Sequence, residues 1–149
     1  MTYFTSDQHF GRFNIIRLCQ RPFASLEEMN EVMLAKWNAK VKDSDRVFIL
    51  GDLFFLTRDP EGTLRLLKGR KTLILVNHDS SWTGKVDLAR YFENVYAMLE
   101  TSDGEHTLTL CHYPMMTLTT VRGRICFTDT YTATRTPTTG RISSRTTAS

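Results

Sequence analysis

No apolar run in the chain approaches the roughly 18–20 residues that a membrane-spanning helix needs, so no membrane partner is expected. Met1 to Phe10 carry neither a basic start nor an apolar core, and no export signal is expected either. Cysteine is scarce. Cys19, Cys111 and Cys126 are odd in number and far apart, which excludes a zinc-type pair and a disulfide framework. These absences together point to a reducing, cytoplasmic setting. Most of the chain also lacks a basic footprint. The formal charge is +3, yet residues 1–116 hold 14 Lys and Arg against 15 acids, a net of −1. Residues 117–149 hold five arginines and one acid, Asp129, so the whole basic excess lies there. Nucleic acid is therefore expected only as one kind of substrate, unless the basic tail itself is a binding module. Histidine is missing too: none follows His112.

What is present reads as one domain of 149 residues, long enough to bury a core, with 41% hydrophobic and 11% aromatic residues. The opening "MTYFTSDQHFG" predicts a strand that ends in a polar loop at Asp7–Gly11, and "FNIIRLC" a short helix stopped before Pro22. In "SLEEMNEVMLAKWNAKV", Ser25 can cap a helix and Glu28 complete a capping box. Leu26, Met29, Val32, Met33 and Trp37 form its apolar stripe. "DRVFIL" and "KTLILV" are buried-type strands, separated by a helix that starts at Asp59–Pro60 and closes at Gly69. A further helix is expected around Val86–Phe92, and then "VYAMLE" and "HTLTLCH" as a hairpin about Asp103–Gly104. The order β-α-α-β-α-β-α-β-β argues for an α/β layered domain. After Tyr113–Pro114 the periodicity fades. Threonine takes every second position from Thr128 to Thr138, and such a segment cannot bury enough apolar surface to fold alone. The expected division is a domain over 1–116 and a Thr/Arg-rich tail over 117–149.

Four polar clusters stand just after predicted strands: Asp7-Gln8-His9, Gly51-Asp52, Asn77-His78-Asp79 and Cys111-His112. Sites in α/β sheets form outside the carboxyl ends of strands, so the strands are expected to bring these clusters together. Carboxylate, imidazole and carboxamide suit Mn, Fe, Zn or Mg rather than a thiolate site. Taken singly, each cluster reads as a turn, a helix cap or a half-buried histidine. Four in this order read as a site.

The stretches "SDQHFG", "NIIRLCQRPF", "EEMNEVMLAKWN", "VFILGDLFF", "LILVNHD" and "CHYP" resemble the calcineurin-like metallophosphoesterases, in particular their small prokaryotic and phage branch. The resemblance runs from Met1 to about Met116. It implies a layered β-sheet sandwich flanked by helices, two divalent cations (manganese foremost) and a phosphate-ester substrate. By the same resemblance Asp7 and His9 ligate one metal, Asp52 bridges both, and Asn77 and His112 ligate the second. His78 would face the substrate, stabilising the phosphoryl charge or protonating the leaving oxygen. Oligomeric state is not legible.

The chain departs from that pattern. Val76 stands where the family has glycine, and a β-branched residue there is expected to displace Asn77. Arg12 replaces a second histidine. It could contact phosphate as a fork donor, but solvated surface is the first expectation. "GDLFFL" lacks the acid that some relatives place there to orient the histidine. Above all, the Gly-His-x-His motif due shortly after "CHYP" is absent, so each metal has lost one imidazole.

The genetic code offers a reading of this loss. Combining each third base with the next two bases across Phe127–Thr132 forces His or Tyr, then Gly, Arg or stop, then His or Tyr, then an aliphatic residue, then His or Tyr. That pattern accommodates Gly-His-x-His where the family would have it. A base gained or lost between about Met116 and Gly123 would make the tail a translated wrong frame. The chain is accordingly expected to be a phosphoesterase of impaired activity, or a non-catalytic, weakly metal-binding remnant. Sequencing the gene across codons 112–142 tests the frameshift, which fails if the shifted frame does not spell the motif.

Overall fold

The structure, a computed structural model, describes residues 1–113 and the backbone of 124–127. It is mixed α/β. Four parallel strands, β1 (Thr2–Thr5), β2 (Arg46–Ile49), β3 (Arg70–Ile74) and β4 (Phe92–Tyr96), lie side by side in that order. The connections carry α1 (Asn14–Leu18), α2 (Leu26–Lys40), α3 (Pro60–Leu66) and α4 (Ser80–Thr83), with 3₁₀ turns at Asn77–Asp79 and Leu88–Arg90. A second sheet has the order β5 (Leu99–Ser102), β6 (Thr107–Leu110), β7 (Arg124–Phe127). No helix among the described residues is long and apolar enough to cross a membrane.

The central strands are apolar on both faces, as a parallel sheet covered on two sides requires. Val47, Ile49 and Leu73 look toward the helices and join Leu64, Phe54, Trp82 and Phe92 in one core, with Met33, Leu34 and Trp37 of α2 packed against it. Phe4, Phe48 and Ile74 look the other way, onto Leu99, Leu108 and Leu110 of the second sheet. The first sheet is thus sandwiched between helices and a second sheet.

The expected caps are in place. Ser25 Oγ accepts from the Glu28 amide at 3.1 Å, and the Glu28 carboxylate accepts in return from the Ala24 amide at 2.7 Å. Asp59 accepts from the Gly62 amide at 2.8 Å, with Pro60 in the first turn of α3. Lys71, buried, donates its ammonium to the carbonyls of Leu67 and Gly69 just past the end of α3, and burial lowers its pKa. Because Ser25 satisfies an otherwise orphan amide, Ser25→Ala is expected to cost about 1 kcal/mol in a denaturant melt.

Two expectations need correction. Val86–Phe92 forms no α-helix. Its centre is the 3₁₀ turn at Leu88–Arg90, capped by Asp87, and Phe92 already begins β4. "VYAMLE" is not one strand. Its first half completes β4 beside β3, its second half is β5 beside β6, and the chain changes sheets at Ala97–Met98. Within the tail, 124–127 runs parallel to β6, with Leu108 opposite Ile125. The β-prone run Ile125-Cys126-Phe127 explains a strand there. The other tail residues and the boundary at 116 lie outside the described residues.

Candidate metal centre

Each cluster leaves a strand at its carboxyl end. β1 and β2 run in register, Thr5 opposite Ile49, and the pairing continues beyond them. Leu50 N–H donates to Thr5 O, His9 N–H to Asp52 O, Phe10 N–H to Leu53 O and Phe55 N–H to Phe10 O, at 2.8–3.0 Å. The Asp7 and Asp52 loops are therefore stitched together backbone to backbone. Gly51 (φ +75°) makes the close approach feasible. A Cβ there would lie 2.5 Å from Val76 Cγ1 and 3.1 Å from the His112 ring. Gly51→Ala is thus expected to lower the melting temperature, and an unchanged melt would refute this role.

Asp7, His9 and Asp52 place ligand atoms within 4.8 Å of one another, a group that could hold a metal ion. His9 Nε2 lies 3.4 Å from Asp7 Oδ1 and 3.8 Å from Asp52 Oδ2. The same Asp52 oxygen lies 3.9 Å from His112 Nε2. Beyond ordinary hydrogen-bond length, such separations are near the distance of about 3–3.5 Å between two donors that share one cation at about 2.1 Å. His112 Nδ1 lies 2.8 Å from the Leu50 carbonyl, which makes Nδ1 the protonated nitrogen and leaves Nε2 free as a donor to metal. Asp52 Oδ1 and His9 Nδ1 are buried without a hydrogen-bond partner among the described residues. An orphaned carboxylate oxygen beside two imidazoles is a poor arrangement for a bare core and a good one for a cation. The donor set fits.

The backbone agrees. Asp7, His9 and Asp52 all lie in the left-handed region, at φ 56°, 53° and 51°. Such residues are held there by their surroundings at some cost, and they concentrate at functional sites. For Asp7 the restraint is visible. Arg21 donates through Nη2 to Asp7 O at 2.7 Å and through Nη1 to Gln8 O at 2.8 Å, a fork across two adjacent carbonyls. Burial lowers the Arg21 pKa, opposed by Cys19 and Asp7 and reinforced by Arg12.

The next loop lies at the open side. Asn77 and His78 are exposed. Val76 is extended (φ −130°, ψ 168°), so the backbone strain expected from a β-branched residue is absent. Tyr113 Oη donates to Asn77 Oδ1 at 2.5 Å and accepts from the Asn77 amide at 3.3 Å, while its ring meets that of His112 edge-on at 5.2 Å. Asp79 anchors the loop from below. It is fully buried and accepts from the Val76 amide (3.1 Å) and Trp82 Nε1 (2.9 Å). Burial, aided by Asp52, raises its pKa against those bonds and the nearby His112.

The structure thus gathers Asp7, His9, Asp52 and His112, and ties Asn77 to them through Tyr113. His78 stands outside that group, edge-on to Phe55 with ring centres 6.2 Å apart. Arg12 is not plain solvated surface. It is half-buried, with its guanidinium 4.4 Å from the centre of the Phe55 ring. Sequence reasoning assigned no role to Arg21, Tyr113 or Phe55. Arg21 and Tyr113 do fall inside the quoted stretches "NIIRLCQRPF" and "CHYP", the one signal that could have marked them.

No protein-family model matches the chain. It is 36% identical over 109 residues to the uncharacterized protein MJ1445 of Methanocaldococcus jannaschii, a match covering 71% of this chain and 61% of that protein. It is 38% identical over 85 residues to the Gene 66 protein of Mycobacterium phage L5, covering 52% and 39%. Among solved structures it is similar to the protein of unknown function AQ665 from Aquifex aeolicus. There the TM-score is 0.62 and the identity 33%, over 76% of this chain and 61% of that one. The chain therefore spans less than two thirds of the length of each of these three proteins, and these likenesses give it relatives in an archaeon, a phage and a bacterium.

Proposed function

We propose that the chain is a metal-dependent phosphoesterase of the calcineurin-like type, acting on phosphomonoester or phosphodiester bonds. The observation that carries this reading is Asp52, a buried carboxylate with one oxygen between the Nε2 atoms of His9 and His112 and the other without a partner among the described residues. Asp7 and His9 would hold one cation, Asn77 and His112 a second, and Asp52 would lie between them. Two divalent cations, when bound, clamp phosphoryl oxygens and lower the pKa of a shared water. The residues do the rest. Tyr113 fixes the carboxamide of Asn77 with one lone pair of Oδ1 left over, and Leu50 fixes the His112 ring. His78, exposed at the rim, is free to stabilise phosphoryl charge or give a proton to the leaving oxygen.

The absence of any histidine after His112 favours a second reading, that of a weak or silent remnant. One assay separates the two. On the first reading, hydrolysis of p-nitrophenyl phosphate or of a p-nitrophenyl phosphodiester depends on added Mn²⁺, stops on chelation and falls about 10²–10⁴-fold in His78→Ala. On the second, the chain as written turns over little or nothing while a version with Gly-His-x-His restored is active. If neither version shows metal-dependent turnover, the phosphoesterase reading is wrong.

A further inference from the structure

Phe55 is in contact with two cationic or donor groups. The Arg12 guanidinium lies over its face at 4.4 Å, and the His78 imidazole meets it edge-on at 6.2 Å between ring centres. All three residues belong to the metal loops. Arg12 is three residues beyond His9 and donates its amide to the His9 carbonyl at 3.1 Å. Phe55 is three residues beyond Asp52 and donates its amide to Phe10, and His78 follows Asn77. The two loops also touch at Gly11, whose φ of +85° leaves no room for a Cβ against Thr57. Leu56, next to Phe55, is exposed yet held at φ 51°, a bulky residue outside its preferred backbone region at the same rim. The Arg12 side chain has no carboxylate or hydrogen-bond acceptor among the described residues. A permanent charge is thus half-buried and stacked in place with its donors unspent.

We propose that Arg12, braced on Phe55, is a specificity-determining residue that selects doubly charged phosphomonoester groups over singly charged phosphodiesters, an inference that rests on the phosphoesterase reading. A phosphomonoester carries close to two negative charges at neutral pH and three strong acceptor oxygens, whereas a diester carries one charge. The carboxylates and imidazoles of the centre would leave their cations to take up two of those oxygens. A planar guanidinium on the His9 loop, stacked on a ring of the Asp52 loop, matches the remaining oxygen and the second charge, and it gains least from a diester, whose remaining oxygens are bonded to carbon. Arg12 is then the reader of phosphate charge, and His78, against the same ring, serves the leaving group.

The test is calorimetric titration of the full Mn²⁺-treated chain with inorganic phosphate and with dimethyl phosphate, comparing wild type, Arg12→Gln and Arg12→Lys. Neither probe is turned over, so binding is read without activity. The expected result is a loss of about ten- to a hundredfold in phosphate affinity for Arg12→Gln, from one charged hydrogen-bonding group, with dimethyl phosphate changed by less than about threefold. Arg12→Lys should fall between, since it keeps the charge and loses the fork. Equal losses for both probes, no loss, or no phosphate binding by the wild type would overturn the assignment. Failure of the underlying reading looks different. If selective, Arg12-dependent phosphate binding is found but no ester is hydrolysed even with the histidine motif restored, the anion site stands and the hydrolase falls. If both mono- and diesters are hydrolysed and Arg12→Gln alters them alike, the hydrolase stands and the Arg12 assignment falls.

Discussion

Asp52→Asn is expected to abolish the response of this chain to divalent cations while leaving the cation-free protein at least as stable as wild type. The two halves have one cause. Asp52 Oδ2 is the atom within 4 Å of both His9 Nε2 and His112 Nε2, so a neutral carboxamide there removes the anion that two cations would share. Meanwhile Oδ1 is buried without a donor among the described residues, an arrangement that costs the bare fold and is relieved when the charge is removed. Asparagine also tolerates the left-handed backbone at φ 51°, so the loop need not move. In thermal melts, Mn²⁺ at a hundredfold excess over its dissociation constant should stabilise wild type by about 2.7 kcal/mol, and Asp52→Asn by close to nothing. A variant that keeps the Mn²⁺-dependent shift would show that the cation sits elsewhere.

Arg21→Ala is expected to be the most damaging change outside the candidate ligands. Its two forked donations hold the carbonyls of Asp7 and Gln8, and with them the left-handed turn that aims Asp7 at His9. Losing two charge-assisted bonds to a partly buried group should cost about 2–4 kcal/mol in stability. Mn²⁺ affinity should drop by about 10–100-fold, the usual penalty when a support of metal ligands is removed. Arg21→Lys separates charge from geometry. An ammonium can donate to two carbonyls but offers neither the reach nor the fixed planar geometry of the guanidinium fork, so much of the lost affinity should remain lost. If Arg21→Lys binds Mn²⁺ like wild type, the fork has no part in placing Asp7.

The two predictions differ in how far the sequence anticipates them. Asp52 was legible because it ends the run "VFILG", and a carboxylate directly after a buried parallel strand faces the ligand side of a sheet. Arg21 was not. Its partners lie 13 and 14 residues away across a loop and a helix, and no periodicity reports a contact of that kind. Arg12 was misjudged for the same reason. An arginine after glycine reads as solvent-facing until the Asp52 loop supplies a ring to stack on. The split of "VYAMLE" between two sheets was hidden because both halves have strand-like composition. What separates them is the choice of neighbour, β3 for one and β6 for the other.

The sequence by itself determined the local elements and the inventory of chemistry. Apolar runs made β2 and β3, Ser25 and Asp59 capped their helices, Asp103–Gly104 turned the hairpin, and the candidate ligand types stood at strand ends. These depend on neighbours a few residues apart, where backbone preference and side-chain reach act directly. Only the tertiary structure decided the rest. It brought His112 within 4 Å of Asp52, held Asp7, His9 and Asp52 in left-handed backbone, and tied Tyr113 to Asn77 across 36 residues. It also set Arg12 and His78 on one ring. Each of these is a contact between segments far apart in the chain. Packing of the two sheets and the helices selects it, and no local pattern encodes it.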